Sequence, residues 1–235
     1  MADVYALILA GGKGMRMGDE RPKQFLPLQG KPILIRTLES FARLGEITGL
    51  ILALPADYIA EAAALLERFS PGRDVSLIAG GATRQESAYR ALTCREFAEE
   101  DILLIHDAAR PLVTERMILD CIRAAAEAGA AGVYVRAIDT IAEGGKGFVL
   151  SIPERGSLYY TQTPQGFRCS VIRDAHERAL ARGEKNATDD VSLVLEAGYS
   201  VKMTEGDYRN IKITTPLDLE LAELLIRKVK TEERG

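Results

Sequence analysis

Close to the start of the chain, the apolar run Val4–Leu9 leads straight into a loop with Gly11, Gly12 and Gly14, and two cations, Arg16 and Lys23, follow that loop. Glycines let backbone N–H groups close on phosphate oxygens, and side-chain cations neutralise the charge. That combination suits a polyphosphate. It is neither of the two commonest phosphate loops. The third glycine of a G-x-G-x-x-G fingerprint would fall at Met17, and G-x-x-x-x-G-K-[ST] is absent.

Other residue sets with chemical potential follow further apolar runs. Gly80-Gly81-Ala82-Thr83 leads into a helical pattern that carries Arg84, Ser87 and Arg90. It reads either as a turn aiming N–H groups and the Ser87 hydroxyl at a ligand or as an ordinary capped helix, with both arginines in solvent. His106-Asp107-Ala108-Ala109-Arg110-Pro111 follows Ile102–Ile105. A carboxylate at a strand end beside a triphosphate can hold Mg²⁺, and an Asp there can equally cap the next turn. Arg110 can pair with a phosphate or with Asp107. His106 reads as packed and hydrogen-bonded rather than catalytic. Asp139-Thr140 follows another run. Lys212 alternates with Ile211 and Ile213, and on a strand it would face the opposite way from both. Asp189-Asp190 follows Thr188 where a helix begins, a place that favours acids. Neither G-x-S-x-G nor H-E-x-x-H occurs, so hydrolase and zinc-protease readings lack support.

These residues need a scaffold that brings strand ends to one rim. Strand-like runs at Val4–Leu9, Gly49–Leu54, Val75–Ala79, Ile102–Ile105, Gly132–Arg136, Tyr199–Thr204 and Ile211–Ile213 alternate with helical periods at Pro32–Leu44, Asp57–Phe69, Thr83–Phe97, Thr114–Ala128, Cys169–Arg182, Asp189–Ala197 and Pro216–Val229. This alternation predicts an α/β fold with a mainly parallel sheet covered on both faces. Ligands of such sheets bind beyond the carboxyl ends of the strands. From Asp139 to Gln165 the helical period is missing. Glu143–Gly147 reads as a hairpin turn between arms Ile138–Ala142 and Phe148–Ile152. An isolated hairpin is marginal, so this arm is expected to pack on a second subunit.

Length and composition set the outer limits. The 235 residues, 47% hydrophobic and 27% charged, fit one globular domain. A net charge of −4 argues against a general nucleic-acid binder. Cys94, Cys121 and Cys169 form no C-x-x-C pair, and buried thiols in a reducing cytoplasm are expected. The N-terminus does not read as a signal peptide. No apolar run approaches the ~18 residues of a membrane helix.

Ala10-Gly11-Gly12-Lys13-Gly14-Met15-Arg16-Met17 with Pro22-Lys23-Gln24 resembles the signature of sugar-phosphate nucleotidylyltransferases. Adding Gly80-Gly81-x-x-Arg84-x-x-Ser87, His106-Asp107-Ala108-Ala109-Arg110-Pro111, Thr163-Pro164-Gln165 and Asn210-Ile211-Lys212 narrows the resemblance to the 2-C-methyl-D-erythritol 4-phosphate cytidylyltransferases of the non-mevalonate isoprenoid pathway, over essentially the whole chain. The resemblance implies a Rossmann-like single domain over 1–235, with a protruding β-arm at about 138–160 that is exchanged in a homodimer. It implies CTP as substrate, Mg²⁺ as cofactor and a polyol phosphate as acceptor. Ala10, Gly11, Gly81 and Ser87 would surround the cytosine and ribose, with Gly12 and Gly14 in the same nucleotide loop. Arg16 and Lys23 would bind the triphosphate and stabilise the transition state, and Asp107 would hold the metal. Arg110, Thr140, Arg155 and Lys212 would hold the acceptor, with Thr140 and Arg155 coming from the partner's arm. Position 82 is Ala82 where some members carry Asp, which leaves base selection more to backbone groups. Enzymes acting on ribitol 5-phosphate share the core motifs but tend to carry Val where Ala109 stands. A nucleotidylyltransferase for another base and a non-catalytic nucleotide-sensing module are the remaining alternatives. The latter is disfavoured because Arg16, Lys23, Asp107 and Lys212 are all present.

Overall fold

A computed structural model describes residues 2–11 and 21–232; Gly12, Gly14 and Arg16 therefore lie outside the described residues. In chain order the elements are β1 (Val4–Leu9), a short hairpin of β2 (Pro27–Leu28) and β3 (Lys31–Pro32), α1 (Ile33–Ala42), β4 (Gly49–Leu54), α2 (Ile59–Phe69), β5 (Val75–Ala79), α3 (Arg84–Leu92), β6 (Ile102–Asp107), α4 (Glu115–Ala128) and β7 (Ala130–Arg136). There follow β8 (Glu143–Gly145), β9 (Phe148–Ser151), β10 (Tyr159–Arg168), α5 (Cys169–Ala181), α6 (Asp190–Glu196), β11 (Lys202–Glu205) and α7 (Pro216–Glu232).

Seven of these strands form one sheet in the order β11-β7-β10-β6-β1-β4-β5. All neighbours are parallel except β10, which runs against both β6 and β7. β1 and β6 are buried at every position. Strands covered on both faces need apolar side chains in both directions, so they read as continuous apolar runs. Along β1, Val4, Ala6 and Ile8 enter the core under α1, α2 and α4, while Tyr5, Leu7 and Leu9 enter the core under α3, α5 and α6. α7 packs separately, its Ala222 and Ile226 against Leu28, Ile33 and Ile213. The fold is the expected Rossmann-like α/β sheet. No helix among the described residues is long and apolar enough to cross a membrane.

From β1 the chain steps outward to β4 and β5 and then returns to β6 on the opposite side of β1. The loops after β1 and β6 therefore diverge, and a crevice opens at the carboxyl ends where they part. Backbone bonds from Ala10 N to Ala53 O (2.7 Å) and from Ala108 N to Leu9 O (2.9 Å) carry the pairing one step past the strand ends and fix the rim.

Several sequence expectations are corrected. Tyr159–Arg168 is a central strand, although Gln162, Thr163, Pro164, Gln165 and Gly166 conceal any apolar alternation. Its register shifts between Gln162 and Gln165, around a proline that cannot donate to a ladder. Its buried polar side chains are spent on partners: Gln165 on Asp189, Gln162 on Asp207 and Thr163 on His106. Residues 211–213 form no strand. α6 is capped by Asp189, whose carboxylate accepts from Ser192 N, and not by Thr188. The arm turns at Lys146 (φ 54°) and Gly147 (φ 84°), a two-residue reversal that needs positive φ twice. Glu143-Gly144-Gly145 is thus a strand of the arm and not its turn. Cys94 is exposed, whereas Cys121 and Cys169 are buried as expected.

Candidate active site

The crevice at the strand switch is a cleft of about 760 Å³. β1 and its loop bring Leu9, Ala10 and Gly11, β6 brings Asp107 to Ala109, and the turn into α3 brings Gly81 to Arg84 with Ser87. Lys23, Gln24, Lys212 and Thr214 complete much of the wall. Of the residues singled out from sequence, Ala10, Gly11, Lys23, Gly81, Ser87, Asp107 and Lys212 meet here.

The glycine turns fit closely under the ligand space. A Cβ on Gly11 would stand 3.2 Å from Ser87 Oγ, and one on Gly81 would strike the Glu86 side chain at 2.3 Å. Ser87 Oγ accepts from Gly81 N (3.0 Å) and donates to Thr83 O (2.9 Å), so the hydroxyl holds the turn while lining the cleft. Thr83 caps α3 by accepting from Glu86 N, and the Glu86 carboxylate returns to Ala82 N at 2.8 Å. Gln24 donates to Ala10 O, which ties the short 3-10 turn Lys23–Phe25 to the end of β1. Lys23 is only 9% exposed, so its charge is held at the cleft wall away from bulk water.

Asp107 is the electrostatic centre. Lys212 Nζ sits 2.8 Å from Oδ2, Arg110 Nε 3.7 Å from the same oxygen, and Arg84 Nε 3.6 Å from Oδ1. Burial alone would raise this carboxyl's pKa. The charges of Lys212, Arg84 and Arg110 outweigh burial and hold it well below the usual carboxylate range. Lys212 arrives without a strand. Asn210 is fully buried and donates to Thr163 O (3.0 Å) and Gln162 Oε1 (3.3 Å), while Ile213 N donates to Ala109 O (2.9 Å). These bonds clamp the loop between them.

His106 supports the site from behind. Its Nε2 donates to Arg110 O (3.1 Å), which leaves Nδ1 to accept from Thr163 Oγ1 (2.9 Å); Thr163 Oγ1 in turn accepts from Asp107 N (3.2 Å). Burial pushes the imidazole down to about 4, so the ring is neutral, and both nitrogens are occupied. Arg110 is tied to Asn210 O (2.8 Å) and Thr161 O (3.4 Å).

Thr140 and Arg155 do not join the cleft of their own chain. Arg155 donates to Ile138 O (3.2 Å) at the base of the arm. On that arm Phe148, Val149, Leu150 and Ile152 are 63–75% exposed. Arg84, which the sequence leaves open between ligand contact and solvent, lines the cleft. It occupies the first turn of α3, and its principal partner, Asp190, is 106 residues away. Only the glycine motif preceding it places it near a ligand.

Sheet and cleft together are those of a Rossmann-like α/β protein with a cation-rich crevice at its strand switch. The sequence model for 2-C-methyl-D-erythritol 4-phosphate cytidylyltransferase matches residues 4–228. A relative of that name from Geobacter metallireducens is 44% identical over 228 residues, covering 96% of this chain and 98% of that protein. The crystal structure of the enzyme of that name from Thermus thermophilus superposes with a TM-score of 0.76 at 32% identity, over 96% of this chain and 99% of that one. A ribitol-5-phosphate cytidylyltransferase from Lactiplantibacillus plantarum is 36% identical over 230 residues, 96% of this chain and 99% of that protein. The chain belongs to the 2-C-methyl-D-erythritol 4-phosphate cytidylyltransferase family and is a nucleotidyltransferase.

Proposed function

We propose that this enzyme transfers the cytidylyl group of CTP to 2-C-methyl-D-erythritol 4-phosphate, releasing pyrophosphate. The observation that carries this reading is the cleft carboxylate, Asp107, ringed by Lys212, Arg84 and Arg110 at the strand switch. An acceptor phosphate oxygen attacks the α-phosphorus of CTP in line, the bond to the β-phosphate oxygen breaks, and pyrophosphate leaves. The nucleophile is a phosphate monoester with second pKa ≈ 6, already largely dianionic at pH 7. It needs no general base, and the neutral, doubly bonded His106 is consistent with that. The barrier is repulsion between anions, which positioning and fixed positive charge lower.

In this reading Ala10, Gly11, Gly12, Gly14, Gly81 and Ser87 hold the nucleoside and the adjoining phosphates. Lys23 and Arg16 meet charge developing on the α-phosphate and leaving group. Lys212 and Arg110 hold the acceptor phosphate, and Thr140 and Arg155 reach it from the arm of a second copy. The exposed apolar side chains of the arm and the placement of Arg155 outside its own cleft support exchange in a homodimer. Asp107 suits a Mg²⁺ that arrives with the triphosphate. Among the described residues no cluster of three or more metal-binding side chains exists, and Mg²⁺ is often held by one carboxylate plus substrate phosphates. Arg84 Nε stands 3.6 Å from Asp107 Oδ1, beyond hydrogen-bonding reach. When bound, the metal would neutralise phosphate charge. The three free cysteines suit a reducing cytoplasm.

Pyrophosphate release over a panel of CTP, UTP, ATP and GTP against methylerythritol phosphate and ribitol 5-phosphate tests the reading. CTP with methylerythritol phosphate should dominate, in keeping with Ala109 and the higher identity to the methylerythritol enzymes. Faster turnover of ribitol 5-phosphate would replace the acceptor, and no release with any pair would remove the reaction.

A further inference from the structure

Behind the cleft lies a buried charged cluster that the reaction as described does not use. Arg84 Nη1 is 2.6 Å from Asp190 Oδ2, and His176 Nε2 is 3.0 Å from Asp190 Oδ1. Asp190 is 1% and His176 0% exposed. The three residues come from three elements, α3, α5 and α6, which meet on one face of the sheet. Asp190 therefore has both oxygens engaged, one by the arginine and one by the imidazole. The Tyr89 ring lies nearly parallel to that of His176, with 6.0 Å between centroids and 20° between planes.

The guanidinium of Arg84 has two sides with different partners. Its Nη1 end is held by the buried Asp190, and its Nε edge faces Asp107 and the open cleft. An arginine left to find its own rotamer would fold onto Asp107 or swing into solvent, at a cost in order when a ligand arrives. Held at the rear, it presents one edge at a set position. Lys212 contrasts with it. That residue reaches Asp107 at 2.8 Å, but its side chain is 40% exposed and no second carboxylate among the described residues anchors it. Of the three cations paired with Asp107, Arg84 is the one anchored by a second, buried carboxylate.

We propose that Asp190 and His176 are positioning residues, which act through Arg84 by fixing its guanidinium as an immobile cationic edge of the nucleotide cleft. The ligand met by that edge is the phosphate-bearing part of a nucleotide, because the edge lies beside the Asp107 carboxylate and next to the Gly81 turn. This proposal rests on the reading of the cleft as a nucleotide site. Arg84 is the group that would touch the nucleotide, and Asp190 and His176 would not.

A double-mutant cycle tests the proposal, measured as CTP affinity with Mg²⁺ by calorimetry and as kcat/KM for CTP. Asp190→Asn keeps the shape and removes the charge. It should weaken both quantities at least tenfold while the thermal midpoint shows a folded protein. In an Arg84→Ala background the same change should cost less than about twofold, because the residue through which it acts is gone. A merely structural role would give equal losses in both backgrounds and would overturn the proposal, as would wild-type affinity in folded Asp190→Asn. Should that variant fail to fold, His176→Phe, which removes the donor and keeps a flat ring, makes the same comparison with the same two outcomes. Wild-type turnover of CTP separately tests the nucleotide reading, so the two failures are distinguishable.

Discussion

At the scale of single residues, the cleft shows how one fold supplies fixed and adjustable charge together. Lys23 is held at the cleft wall, and Arg84 is tied from behind. Lys212 reaches Asp107 from a half-exposed position on a loop. Preorganised charge costs no reorganisation during the chemical step, and losing one such contact costs roughly a hundredfold in rate or more. Lys23→Ala should accordingly lower kcat by about that factor and raise the KM for CTP far less. Steady-state kinetics at saturating acceptor check this, and near-normal kcat would remove Lys23 from the chemistry. Most of these residues are legible in the sequence because the residues at and just after the strand ends of a parallel sheet converge on one rim, as Asp107 and Ala10 do. The cluster of Arg84, Asp190 and His176 is not, because pairs 106 and 14 residues apart leave no periodic trace. Asp189-Asp190 reads as acids at a helix start, which is correct for both, Asp189 as the cap and Asp190 in the first turn; that the charge of Asp190 also serves Arg84 in three dimensions leaves no such trace.

At the scale of elements, the strands with continuous apolar runs are the easiest to read. β1, β4 and β5 begin and end where the sequence places them; for β1 and β4, burial at nearly every position leaves one solution, while β5 is the half-exposed edge strand. β10 escapes the pattern because Gln162, Thr163 and Gln165 in its buried stretch are polar and bond to partners that no local signal announces. The loop after β11 misleads in a related way. Ile211-Lys212-Ile213 alternates like a strand, yet the segment is held by Asn210 below and by one backbone bond above. That places the burden of aiming Lys212 on Asn210. Asn210→Ala would take the side-chain donor from the buried acceptor Thr163 O, at about 1–3 kcal/mol, while Gln162 Oε1 would keep Asp207 N. It should also raise the KM for the acceptor alcohol severalfold more than that for CTP. An equal effect on both substrates would show that the loop contributes stability only.

At the scale of the whole molecule, the proposed exchange of arms makes each cleft the joint property of two chains. This gives a complementation test. A Lys23→Ala protomer supplies an intact arm, and an Arg155→Ala protomer supplies an intact cleft. Each homodimer alone should be nearly inactive. After mixing and reassembly of equal amounts, about a quarter of the sites would combine both intact parts, because a two-fold dimer pairs chains at random. Pyrophosphate release should recover to about that fraction. If activity stayed at the level of the separate variants, Arg155 would act within its own chain or not at all. The topology adds something further. Because β10 runs back along β7, the arm is the tip of one long hairpin whose two feet are pinned within the sheet. Residues can be added to or removed from that tip in pairs without altering any register in the sheet below. Reach toward a neighbouring chain, and with it acceptor preference, can therefore drift between lineages independently of the nucleotide cleft, as an exchangeable cassette on an unchanging chassis.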